Sequence, residues 1–353
     1  MKSAPPVMLA EQGARAAHGV FGELPYEKPK GRLLGLDAAR GLAILLVVIG
    51  HVVARDMPAG NEWYARLKDT IYLFHMPLFM ALTGMTFALS LPRFAAWGEV
   101  AGFSMKRVER LFLPYVVFGI AIIAGKLLAA RFVVVDNLPG ESALLELMVR
   151  PTHSGVTFLW FIYVLSIYLL LVPALFQLIG RRPMVLLLLG VALSFAGPRT
   201  QLFMLDEAVA YLPFFAGGML LWMYREIWER ILPGALWATT LLFAALLVMA
   251  QFQEMPKWLV GSASLLPVLA WMQRLPAGPL GGLAALGRAS LAIYLMNTIA
   301  IGVTKGLMLK LLPWDGPNFL LYFPLLALAG VAAPMVVRAL LPRYVPRAAR
   351  YVA

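Results

Sequence analysis

Arg40 and His51 stand at the two ends of one apolar run, LDAARGLAILLVVIGH. On a helix of 3.6 residues per turn this spacing is about three turns, so both side chains project from nearly the same face, roughly 16 Å apart along the axis. The two residue types suit different chemistry. A guanidinium binds phosphate through paired hydrogen bonds. An imidazole, whose unperturbed pKa lies close to physiological pH, can take a proton from an attacking hydroxyl. Ionisable groups within an apolar run are costly in a bilayer and usually face a polar cavity or a partner. The pattern fits equally a span whose ends touch water, with Arg40 marking one boundary and His51 the other.

A second histidine, His75, lies in IYLFHMPLFMALTGMTFALS, two residues before Pro77. Proline frees a backbone carbonyl and kinks a helix, so His75 is expected at an irregular position that can face a cavity. Two roles fit it: orienting His51 or an acceptor, or capping the break at Pro77. Thr83 and Gly84 form a small hydrogen-bonding patch one to two turns deeper, suited to an acceptor or to ordinary helix packing. The segment KRVER places Arg107 and Arg110 beside Lys106, directly before LFLPY.

The elements that hold these residues are membrane spans. Hydrophobic residues make up 61% of the 353-residue chain and charged residues 14%, against roughly 45–50% and 25% in soluble domains. The expected fold is all-α, a polytopic integral membrane protein with about ten transmembrane helices. Their approximate ranges are 36–54, 70–89, 111–130, 156–179, 183–196, 208–224, 231–252, 258–272, 286–309 and 319–341. Residues 1–32 read as a disordered tail, 33–342 as the transmembrane domain and 343–353 as a short basic tail. In loops on the N-terminal side we count sixteen lysines and arginines against eight on the other, which orients both termini to the cytoplasm. Arg40 then lies near the cytoplasmic surface with the KRVER cluster, and His51 and His75 in the outer half.

Other chemistries find little support. The chain has no cysteine, which excludes disulfides and thiolate catalysis. His153 lacks carboxylates at a ligand spacing, so no metal is expected. The net charge of +12 is scattered between apolar runs; loop bias and anionic lipid account for it, and nucleic acid is not the expected partner. An arginine-rich inner end joined to a proton-accepting outer end suits a phosphorylated carrier with a long thin arm, such as acyl-coenzyme A.

At these residues the sequence resembles the membrane acyltransferase-3 family. Arg40 to His51 is similar to that family's first-span signature, FHMPLFMALTG to its second block and KRVERLFLPY to its basic segment before span 3. LWFIYVLSIYLLLVP and LGRASLAIYLMNT are similar to its fourth-span and late blocks. The five blocks stand in the expected order over nearly the whole chain, with the FHMPLF wording nearest the branch containing fucose 4-O-acetylase.

The resemblance implies a bacterial inner-membrane enzyme that moves an acyl group, commonly acetyl, from acyl-CoA to a hydroxyl of a sugar or other acceptor. It implies His51 as the catalytic base, Arg40 as its partner, and Arg107 and Arg110 as donor-handling residues. Trp160 and Tyr163 could line the acceptor path, or belong to an interfacial aromatic belt. Thr83 stands where serine is common in the family. Asn297 stands where many relatives have histidine, so the resemblance carries no second base into that span. Two other classes fit the span count: a secondary transporter, although the halves show no obvious repeat, and a non-catalytic membrane subunit.

Overall fold

The computed structural model describes residues 34–54, 57–132, 135–349 and 351; the expected tail, 1–32, lies outside them. The described residues are helical with no strand. In chain order the helices are α1 (Leu34–His51), α2 (Glu62–Tyr72), α3 (His75–Ser90), α4 (Trp97–Ala129), α5 (Ala143–Val149), α6 (Trp160–Leu178) and α7 (Pro183–Ala196). Then follow α8 (Leu205–Met223), α9 (Arg225–Met249), α10 (Lys257–Met272), α11 (Ala277–Arg288), α12 (Ser290–Met308), α13 (Phe319–Tyr344) and the single turn α14 (Pro346–Ala349). Among the described residues, eight helical segments are long and apolar enough to cross a membrane, and the shorter apolar helices α7 and α10 lie where two short spans are expected.

α1 is the helix around which the others gather. Asp37 in its first turn and His51 in its last place acidic and basic groups where the helix dipole favours them. Its buried positions include Ala38, Ala39, Gly41 and Ala43, and small residues let neighbouring backbones approach closely. α11 uses this most: a Cβ at Gly41 or at Gly287 would collide with the backbone of the opposite helix. α2, α3, α10, α12 and α13 also touch α1. α3 is buried on every side and packs on α8, as expected for a helix apolar all round. The outer helices present apolar side chains outward instead, such as Trp237, Leu241 and Leu242 of α9, which suits contact with lipid tails.

Several expected boundaries need correction. The span drawn over 70–89 is two helices, because the chain breaks at Leu73–Phe74, before Pro77 rather than at it. Pro77 sits in the first turn of α3, where a missing N–H costs nothing. α2 begins at Glu62, inside what reads as a polar connection; it buries Tyr64 and Ile71, with Arg66, Lys68 and Asp69 between them. The segment 92–110 is likewise not a separate connection. α4 runs unbroken from Trp97 through KRVER and past Pro114, so its 33 residues span about 50 Å, more than the roughly 30 Å hydrocarbon core. Arg107 and Arg110 thus occupy the part of α4 that extends towards one boundary. Finally, α11 and α12 are separated at Ala289 instead of forming one span from 286, and 343–353 contains the end of α13 and α14 rather than only a tail.

Candidate active site

The side chains of α1 singled out by spacing both meet α12. Arg40 Nη2 donates to Ser290 Oγ at 2.9 Å, and His51 Nδ1 lies 2.9 Å from Asn297 Oδ1. Ser290 and Asn297 are two turns apart on one face of α12, roughly 10 Å along its axis. The reach of the extended Arg40 side chain covers the difference from the longer Arg40–His51 spacing. Ser290 and Asn297 are almost fully buried, at 2% and 0% exposure, so their polar atoms must find partners within the protein.

Asn297 decides the state of the histidine. Its Nδ2 donates to the carbonyls of Ile293 at 2.9 Å and Tyr294 at 2.8 Å. Carbonyls only accept, so the amide nitrogen must face them and the amide oxygen must face His51. Nδ1 of His51 therefore carries the hydrogen, and Nε2 keeps its lone pair. The ring stands edge-on to Phe158, with centroids 6.2 Å apart, and Tyr294 Oη fixes that residue by donating to the Phe158 carbonyl.

His75 is buried and does not share a hydrogen bond with His51. Its Nδ1 donates to the Ile71 carbonyl at 2.8 Å, across the break between α2 and α3, and its ring stacks on Tyr72 at 5.0 Å. Thr83 is half-buried and donates to Phe79 O of its own helix at 2.8 Å. Trp160 opens α6 half-buried against Tyr211, at 5.0 Å between centroids. Tyr163 is buried, and its hydroxyl donates to Met148 O of the α5 segment at 2.7 Å. Arg107 lies over the Phe103 ring, 4.3 Å from its centroid, while Arg110 is exposed. Beside it Glu109 accepts from Tyr351 Oη at 3.0 Å, which brings the end of the described chain to the basic segment.

Two cavities stand out. One of about 870 Å³ lies between α2 and the α9–α10 turn, with Arg66, Asp69, Gln251 and Glu254 among its walls. The other, about 440 Å³, lies beside Leu34–Leu36 with Trp222, Glu229 and Gln273. Neither is lined by Arg40, His51, His75, Arg107 or Arg110, so neither is a channel joining the two ends of the site. Among the described residues no group of three or more histidines or carboxylates could hold a metal ion.

Ser290 is the residue that sequence reasoning misses. Its signal is its place two turns before Asn297 in the block LGRASLAIYLMNT.

The fold is that of a multi-pass helical membrane protein in which Arg40 and His51, both half-buried on α1, are held by one partner helix. The acyltransferase-3 family model, described as an acyltransferase domain, matches residues 33–339, and the chain belongs to that family. It is similar to the nodulation protein NolL of Sinorhizobium fredii, 32% identical over 133 residues, 36% of this chain and 33% of that one. It is also similar to the NolL of Mesorhizobium japonicum, 44% identical over 55 residues, 15% of each chain. The matched segments thus span a third or less of these relatives. No solved structure matches the chain.

Proposed function

We propose that this acyltransferase is an O-acyltransferase in which His51 is the general base. The observation that carries the reading is the orientation of Asn297, which leaves the His51 Nε2 lone pair available. Nε2 takes the proton of an acceptor hydroxyl as its oxygen attacks the thioester carbonyl of acyl-CoA, the acyl group being acetyl as the family resemblance implies. The C–O bond forms, the C–S bond breaks, and the imidazolium returns the proton to the leaving thiolate. General-base help is worth typically 10²- to 10⁴-fold, so positioning and stabilisation of the oxyanion supply the remainder.

The domain doing this is residues 33–342, in a bacterial inner membrane as the family resemblance implies, and the loop charge favours both termini in the cytoplasm. Arg40, Arg107 and Arg110 handle the phosphates of the donor from the inside, and a sugar or glycan hydroxyl arrives from the outside past Thr83 and Trp160, whereas the Tyr163 hydroxyl is spent on Met148 O.

Purified protein given labelled acetyl-CoA tests this. Release or transfer of the label is expected, with His51→Ala abolishing it while membrane insertion persists. Uptake of an unmodified solute into vesicles, with no consumption of acetyl-CoA, would point to a transporter instead.

A further inference from the structure

The base sits at the very end of α1, and the last carbonyls of a helix have no donor within it. Here one face of α2 supplies donors. Tyr64 Oη donates to Ile49 O at 2.7 Å and Tyr72 Oη to Gly50 O at 2.9 Å. Just beyond the helix, Lys68 Nζ donates to Val53 O at 2.7 Å, and the Val53 N–H donates back to Tyr64 Oη at 3.3 Å. Residues 64, 68 and 72 recur every four positions and so form one stripe along α2. The ammonium of Lys68 also places positive charge at the negative end of the α1 dipole.

The stripe is itself held. Tyr64 is fully buried, with its ring 5.2 Å from Phe319 and 5.6 Å from Phe323 of α13. Asn61, just before α2, donates to the carbonyls of Pro58, Ala59 and Gly316. Tyr72 can lie on α1 only because residue 50 has no side chain: a Cβ there would be 2.6 Å from the tyrosine ring. The same tyrosine stacks on His75, 5.0 Å between centroids and 29° between planes.

We infer that Tyr64, Lys68 and Tyr72 are positioning residues for His51, fixing the backbone on either side of the imidazole, and that His75 acts on the base through Tyr72. The inference deepens the proposed function and rests on His51 being the base. It assigns α2, a helix outside the α1–α12 pair, to the working geometry of the site.

The test is steady-state hydrolysis of acetyl-CoA by the purified full chain. Tyr72→Phe keeps the ring and its stack on His75 and removes only the bond to Gly50 O. Its kcat should fall roughly five- to tenfold, with KM for acetyl-CoA unchanged and the unfolding temperature close to that of the parent. Lys68→Met should lose a comparable factor and Lys68→Arg should restore most of it, since a guanidinium can still donate to Val53 O. The double variant Tyr72→Phe/His75→Asn should fall no further than its more damaged single variant, because both act along one path. Unchanged kcat in Tyr72→Phe, a rise in KM alone, or losses that multiply in the double variant each overturn the inference. If His51→Ala is inactive and Tyr72→Phe is not impaired, only the inference fails; if His51→Ala retains the parent rate, the base assignment fails first and takes the inference with it.

Discussion

The His51 end of α1 and the basic segment of α4 are built differently. At the His51 end every polar group named above is tied to a specific atom: the imidazole to Asn297, the amide of Asn297 to two carbonyls, and the terminal carbonyls of α1 to Tyr64, Tyr72 and Lys68. The basic segment of α4 has no such frame, with Arg107 resting on a phenylalanine ring and Arg110 exposed. Proton transfer needs donor and acceptor held within a few tenths of an ångström, whereas charge attracts a flexible phosphate over a longer range. The contrast fits a site that fixes its base and leaves its anion-handling arms free to adapt. Arg40, bonded to Ser290 at 2.9 Å, belongs with the fixed group although its residue type suits the other.

The sharpest way to break the contrast is at the base. His51→Ala should lower turnover of acetyl-CoA by roughly 10²- to 10⁴-fold, and the parent rate should rise with pH from the acid side, since only the neutral imidazole has a free lone pair. A flat pH profile would remove the imidazole from the chemistry. Next comes its partner. Asn297→Leu leaves Nδ1–H of His51 without an acceptor in a buried site, a loss of about 1–3 kcal/mol, which corresponds to roughly five- to 150-fold in kcat. Asn297→Asp keeps an acceptor and should be milder. Equal rates in the two variants would show that the hydrogen bond does not set the tautomer.

How much of this was legible depended on the range of the interaction. The Arg40–His51 spacing and the small residue at Gly50 are local patterns, readable from helix periodicity alone. The partners on α12 are about 250 residues away, and nothing local marks Asn297 as the acceptor for His51; the sequence shows only an amide where relatives have histidine. α2 was hidden for a different reason. Its stripe of Tyr64, Lys68 and Tyr72 is visible at i, i+4 spacing, but Glu62 before it and Arg66 and Asp69 within it make the segment read as a loop. Pro77 suggested a kink at the proline, and the structure moved the break upstream because proline is tolerated in a first turn. Tyr163 reads as a belt or pathway residue; only the fold reveals its bond to Met148.

The basic segment of α4 should respond more weakly and in a different parameter. Arg107→Ala and Arg110→Ala should each raise KM for acetyl-CoA by up to roughly fivefold, the ceiling for a solvent-screened ion pair, with kcat little changed. The effect should shrink at high salt, where such contacts are screened. A fall in kcat with unchanged KM in either variant would mean that this segment orders the reacting geometry and that the two ends are not as distinct as their contacts suggest.

The smallest effects should separate two aromatic residues that the sequence places together. Tyr163 spends its hydroxyl on Met148 O and packs its ring 5.4 Å from Tyr115, so it ties α6 to α5 and α4. Tyr163→Phe should therefore lower stability by about 0.5–1.5 kcal/mol, read as a small drop in unfolding temperature, and leave the acetyl-CoA kinetics unchanged. Trp160 lies half-buried against Tyr211, with no side-chain hydrogen bond to the frame among the described residues, and the role proposed for it is a wall of the acceptor path. Trp160→Leu should then spare hydrolysis by water and reduce transfer to a sugar hydroxyl. If instead Tyr163→Phe impairs transfer and Trp160→Leu does not, the acceptor passes between α4 and α6, and the fixed part of the site extends further from His51 than the α1–α12 seam.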